Sequence, residues 1–229
     1  MTSFLILAVV VLAFAVFFAA MALSNSRRKA RESFIDGYAF PPGIRDKVHK
    51  KYPHLTPSQL DLVFDALRDY FHLHRTSGRQ MLAMPSQVVD VAWHEFIVFT
   101  RHYQTFCERT IGRFLHHTPA EAMRSPTVAT EGIKRTWRAA CKRDDIDPRK
   151  APRLPLLFAI DARLEIPDGF RYQLDCSRAN TFRGIDGDAP IIYCGSHIGC
   201  GGSSSSGDSS NDAGDGGDGG GGDGGGGGD

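Results

Sequence analysis

Phe4 to Leu23 is a run of twenty residues without a charge, FLILAVVVLAFAVFFAAMAL. At 1.5 Å per residue a helix of that length spans about 30 Å, the thickness of a bilayer's hydrocarbon core. Its Leu, Val, Ala and Phe side chains are those that lipid accommodates at no cost. No charged residue precedes the run, and Arg27, Arg28, Lys29 and Arg31 follow it. Two readings compete. A cleaved secretory signal wants a positive start, a shorter apolar stretch and a small-residue cleavage site, for which Ala20-Met21-Ala22 could serve. A retained signal anchor wants the long run and the basic flank, and it is the expected one. Flanking Lys and Arg set orientation, which places residues 24–229 in the cytoplasm. Residues 1–24 are then a transmembrane anchor with the membrane lipid bilayer as partner, and residues 25–39 a basic juxtamembrane linker.

The other end of the chain is of opposite character. Residues 201–229 hold 15 of the 25 glycines and six aspartates, with no Lys or Arg. Such a segment buries too little apolar surface to offset its ordering entropy, and it reads as a disordered acidic tether. The formal net charge of +1 is thus the sum of a −6 tail and a +7 remainder, 27 bases against 20 acids. About 170 residues lie between the two ends, enough for one domain with its own core. The composition excludes a wholly disordered chain, a multi-span transporter and a disulfide-dense mini-protein.

The middle reads helical. Thr56-Pro57-Ser58-Gln59 has the form of a capping box with proline at the first helical position. Leu60, Val63, Phe64, Leu67 and Phe71 then recur at helical spacing up to Thr76-Ser77-Gly78. Pro85-Ser86 is a second start. Behind it the pattern predicts one unbroken helix to Gly112, burying Val89, Trp93, Phe96, Thr100, Tyr103 and Cys107. Thr118-Pro119-Ala120-Glu121 opens a short helix ended by Pro126, and a further helix covers about 128–143, burying Ile133, Trp137, Ala140 and Cys141. From Asp145 onward prolines break the periodicity, and only GFRYQLD and PIIYC look extended. The expected fold is mainly α: a helical bundle over residues 40–200, with a short irregular, β-containing carboxy-terminal lobe.

The residues that could carry chemistry concentrate between Asp90 and His117. Asp90 and His94 are neighbours at i, i+4, so the carboxylate could orient the imidazole for proton transfer or beside a metal; a histidine that only secures the helix is the plainer reading. His94-Glu95 lacks the second histidine of a zinc-protease motif, because position 98 is Val98. A metal could join Cys107 to His116 or His117 if the chain turns back at Gly112, although a cysteine on an apolar stripe usually acts as a small hydrophobe. A second candidate is Cys194, His197 and Cys200, with Cys176 as a fourth ligand for zinc. A disulfide or free thiols are the alternatives there. Five cysteines in a reducing compartment do not form a disulfide framework. His72 and His74, at i and i+2, are assigned to favourable interaction with a helix carboxyl end. Basic residues are interleaved with acids, so nucleic acid is not an expected partner, and no motif identifies a small-molecule substrate.

Pro85, Asp90, Trp93-His94, Tyr103, Cys107, Gly112 and Leu115-His116-His117 resemble the glycine-rich domain-containing protein-like family. MPSQVVDVAWHEF and GRFLHHTPAEAM are the specific stretches, supported by LPLLFAIDARLEI and YQLDC, over residues 40–200. The resemblance is to bacterial, membrane-anchored members with a glycine-rich tail, which implies the bacterial inner membrane. In that family a second histidine often follows Trp-His two places on, where this chain has Phe96, a departure that weighs against a metal on His94. The resemblance implies organisation rather than a reaction. Two functions are therefore expected: a single-pass membrane protein with a helical domain that binds an unknown protein partner, or a zinc-dependent hydrolase using Asp90, His94, Cys107 and His116 or His117.

Overall fold

The computed structural model describes residues 2–117, 126–174 and 192–194. Seven helices and two short strands lie among them. α1 (Thr2–Asp36) is 35 residues long, about 52 Å of helix. It is long and apolar enough to cross a membrane. Its apolar half is largely uncovered: Leu7, Phe14, Phe17, Phe18 and Leu23 are all about 60% exposed.

Residues 25–39, expected as a basic linker, are helical as far as Asp36. The helix runs on through the basic flank, and its last turns enter the core. Ile35 is fully buried. Phe34 and Tyr38 stack on Phe106 at 6.1 and 4.6 Å, and Phe40 meets Phe64 and Phe96 at 5.2 and 5.1 Å. The apolar residues at 34, 35, 38 and 40 alternate with charged or small ones too sparsely to show as an amphipathic pattern. They pack because α1 emerges directly against α3 and α5. The apolar run and the residues that enter the core thus lie on one continuous helix.

α2 (Pro42–Lys51) precedes α3 (Pro57–Thr76), whose start is the expected capping box: the Gln59 amide donates to Thr56 Oγ1 and the Thr56 amide to Gln59 Oε1. α3 is the central helix. Leu60, Val63, Phe64, Leu67 and Phe71 are buried as the spacing predicts, and so are Tyr70, His72, Leu73 and His74. His72 and His74, expected to interact favourably with the helix carboxyl end, are buried near it, and burial lowers the pKa of both, which disfavours the cationic form that such an interaction needs. His72 Nε2 pairs with Asp36 Oδ1 of α1 at 2.7 Å. His74 lies edge-on to Tyr70 with neither ring nitrogen bonded.

The helix expected from Ser86 to Gly112 is broken at Phe99 into α4 (Gln87–Val98) and α5 (Thr100–Thr110). The Phe99 amide closes back on Phe96 O, and the Tyr103 amide takes Phe99 O to start again. The break falls in Ile97-Val98-Phe99-Thr100, four β-branched or aromatic residues of modest helix propensity. It resets the phase, so Thr100 is exposed while Tyr103, Phe106 and Cys107 are buried.

α6 (Pro126–Arg143) buries Trp137, Ala140 and Cys141, with Ile133 half-buried. In the lobe, α7 (Leu156–Arg163) is followed by β1 (Arg171–Gln173) and β2 (Ile192–Cys194), which pair in parallel with Tyr172 opposite Tyr193. One carboxylate ties this lobe to the bundle. Asp161, 1% exposed, accepts from Ser86 Oγ, from the Gln87 and Val88 amides at the open start of α4, and from the Phe170 amide. The negative charge there also meets the positive end of the α4 dipole. The short helix expected at 118–125 and the tail at 201–229 lie outside the described residues.

Candidate metal centre

Three features set the site. The first is α4, which carries Asp90 and His94 one turn apart. The second is the break at Phe99, which redirects α5 so that Tyr103 faces back toward α4. Trp93 Nε1 donates to the Tyr103 hydroxyl at 3.0 Å, and that hydroxyl donates to Leu115 O at 2.6 Å. Burial pushes the Tyr103 phenol well above its ordinary range, so it remains a donor. The third is Gly112, whose φ of +82° ends α5 in a left-handed turn, its amide bonded to Cys107 O. With Leu115 pinned and buried, the chain crosses back over α4 and delivers His117 to Asp90.

His117 Nε2 lies 3.0 Å from Asp90 Oδ1, and His94 Nε2 lies 3.5 Å from Asp90 Oδ2. The two imidazoles are 4.0 Å apart between ring centres. Donor atoms of Asp90, His94 and His117 all fall within 4.8 Å of one another. Tetrahedral ligands about 2.1 Å from a zinc ion stand about 3.4 Å apart, so small side-chain rotations close this set around an ion. Burial is graded across the site: the His117 side chain is 11% exposed, Asp90 25% and His94 50%. Trp93 forms the inner wall, its ring 4.5 Å from that of His117. The outer side, at His94, is open to solvent. Two imidazoles and a carboxylate suit zinc and other divalent first-row metals.

The structure thus brings together three of the five residues singled out in this stretch and separates the other two. Cys107 is fully buried on α5, its thiol against the Tyr103 hydroxyl and the Leu115 backbone, and burial pushes its pKa up. It is a core residue beneath the turn, and it does not pair with His116 or His117 as a ligand. His116 points outward against the half-exposed Phe114. Of the neighbouring pair His116-His117, only His117 reaches Asp90; His116 is exposed. Phe96, at the position where the resembling family carries a further histidine, is wholly buried among Tyr38, Phe71 and Phe106. That place serves the core and is remote from the open side of the cluster. Of the second candidate set, Cys176, His197 and Cys200 lie outside the described residues, as does the side chain of Cys194.

Residues 30–198 match the UCP032817-like family, about three quarters of the sequence. The chain belongs to the UCP032817-like family. The family segment opens at Ala30, within the basic flank that follows the apolar run, and it contains Asp90, His94, His117 and the lobe held by Asp161. The apolar run and residues 201–229 fall outside it. No curated protein and no solved structure matches the chain.

Sequence reasoning missed the parts that position the cluster. Trp93 and Tyr103 were legible only as an apolar stripe, yet a buried indole N–H and phenol O–H each need a partner, and ten residues apart they supply one another. Asp161 stands alone in the apolar LLFAIDAR stretch, a signal for a buried carboxylate with a dedicated set of donors.

Proposed function

We propose that this chain is a single-pass membrane protein whose helical domain, held close to the bilayer on a continuation of its anchor helix, binds a divalent metal ion through Asp90, His94 and His117. The observation that carries the reading is the convergence of those three donors within 4.8 Å at the end of a turn that the Trp93–Tyr103–Leu115 chain holds in place. Zinc is the ion that best suits the donor set. The basic flank at Arg27, Arg28, Lys29 and Arg31 supports an orientation with the domain and tail in the cytoplasm.

Asp90 is the hinge of the site. Each of its oxygens faces the Nε2 of one imidazole, and as a ligand its negative charge would offset part of the charge of the ion. His117, pressed against Trp93, is the more buried ligand, and His94 is the more exposed one. Three protein ligands leave a position open on the solvent side, the arrangement of reactive rather than closed structural sites. A bound ion would supply Lewis acidity there. That open position favours metal-dependent hydrolysis as a second reading.

The test uses the full chain purified in a neutral detergent, stripped with chelator and reloaded with zinc. The expected result is one equivalent of zinc in the wild type and its loss in His94→Ala, whose exposed ring leaves the fold intact, and in Asp90→Asn. Equal zinc retention by the wild type and both variants would refute the assignment. For the second reading, zinc-dependent ester hydrolysis should be present in the wild type and lost in the same variants.

A further inference from the structure

At the level where the apolar run of α1 ends, a cleft of about 440 Å³ opens between α1 and the last turn of α3. Its upper part is apolar, Ala20 and Leu23, and the rest carries four guanidinium groups, Arg27, Arg28, Arg31 and Arg75. Glu32 supplies the carboxylate at this place, and it is taken by Arg75 Nη2. Ion-pair partners for Arg27, Arg28 and Arg31 are not found among the described residues.

Two observations point to a ligand of particular chemistry. Arg75 is a guanidinium whose side chain is only 9% exposed, and its buried Nε–H has no acceptor. Arg75 lines the cleft with only Glu32 as a charged partner, so an anion in the cleft would give this largely buried guanidinium a second one. The second is depth. Arg27 and Arg28 stand four and five residues beyond Leu23, about 6 to 8 Å along the axis. The polar layer of a bilayer extends about 5 to 8 Å beyond each face of the hydrocarbon core. With the apolar run filling that core, Arg27 and Arg28 lie at the level of the lipid phosphates, Arg31 lies one turn beyond them on the same side of the helix, and Ala20 and Leu23 lie at the start of the acyl chains.

We propose that this cleft binds one anionic phospholipid, with the phosphodiester held by Arg27, Arg28, Arg31 and Arg75 and an acyl chain along Ala20 and Leu23. The inference rests on α1 crossing the bilayer and is independent of the metal centre. Arg75 is the specific contact: it belongs to the domain, so an occupied cleft fastens α3 to the membrane surface and fixes the tilt of the domain on its anchor. Glu32, paired to Arg75, orients the guanidinium toward the phosphate.

The test takes the full chain in neutral detergent and measures retention of added phosphatidylglycerol and phosphatidylcholine by native mass spectrometry. The wild type should retain a single phosphatidylglycerol in preference to phosphatidylcholine. Arg75→Gln, and separately the exposed pair Arg27→Gln and Arg28→Gln, should reduce that preference by about fivefold for each arginine removed. Arg149→Gln, on an exposed loop after α6, should leave it unchanged. The exposed pair keeps the test decisive if Arg75→Gln does not fold. Equal retention of the two lipids, no effect of the α1 pair, or displacement of the lipid by inorganic phosphate at comparable concentration would each overturn the proposal. Flotation of each variant with phosphatidylcholine vesicles after an alkaline wash reports the anchor by itself. Lost flotation would refute the membrane-crossing reading, whereas lost lipid preference with intact flotation refutes only the cleft.

Discussion

His74 should make the domain acid-sensitive in a way that one substitution removes. Its ring is 3% exposed, lies 4.6 Å from Tyr70 edge to face, and has no hydrogen-bond partner on either nitrogen. A proton there would create a buried cation, and the charge that acts on it, Arg113, has the same sign. Burial first and Arg113 second hold its pKa at about 3, against an ordinary 6.5. The folded form therefore stays neutral while the unfolded chain takes up a proton below pH 6.5. The stability this neutral ring permits is fully present above pH 6.5 and is lost as pH falls from there toward 3. Each pH unit in that window costs 1.36 kcal/mol, so His74 alone removes about 2 kcal/mol between pH 6.5 and 5. His72 is shifted in the same direction, by burial that outweighs its bond to Asp36, and it adds to the same acid limb.

His74→Leu keeps an apolar side chain of similar reach and removes both the titration and two unsatisfied nitrogens. At neutral pH it should be neutral or stabilising by about 1 kcal/mol. Urea unfolding of the full chain in neutral detergent, followed by tryptophan emission, gives the measurement, since Trp93 is 6.4 Å from His74. Between pH 6.5 and 5 the wild type should lose about 2 kcal/mol more than the variant, while acid effects common to both cancel. Parallel stability curves for the two proteins over that range would refute the reasoning.

Two other substitutions probe the packing. Asp161→Ala leaves the Ser86 hydroxyl and three amides without their acceptor at the α4–lobe junction, and should cost about 3 to 5 kcal/mol by the same unfolding assay; a loss below about 1 kcal/mol would show that the lobe is held by other contacts. Gly132→Ala, in the middle of α6, would ordinarily gain about 1 kcal/mol of helix propensity. Here the new Cβ would stand 2.9 Å from Ala83 Cβ and 3.2 Å from the Ala83 amide, so the sign should reverse to a loss of about 1 to 3 kcal/mol, visible as a lower urea midpoint.

What could be read without coordinates was whatever is local. The apolar run, the Thr56 capping box, the Ser86 start and the α6 helix each depend on residues within a turn or two of one another, and each stands as the pattern implies. Asp90 and His94 were paired for the same reason. The errors came where distant segments decide burial. His72 and His74 sit on opposite sides of α3, and both are buried because other elements pack on both of those sides, a fact no period along one helix can carry. Phe34, Ile35 and Tyr38 were hidden in a basic stretch because three scattered apolar residues become core only when α5 is placed beside them.

By itself, then, the sequence determined that the chain is mainly helical, that its first helix suits a bilayer, and that histidines and a carboxylate gather near Asp90. The tertiary structure decided which of them meet. Cys107 was drawn into the core and His116 turned outward, while the break at Phe99 and the left-handed turn at Gly112 brought His117 across 27 positions to Asp90. Those two backbone events are cheap in sequence terms, a run of weak helix formers and one glycine. Their consequence is long-range because the rigid helices on either side convert a local change of direction into a new set of neighbours.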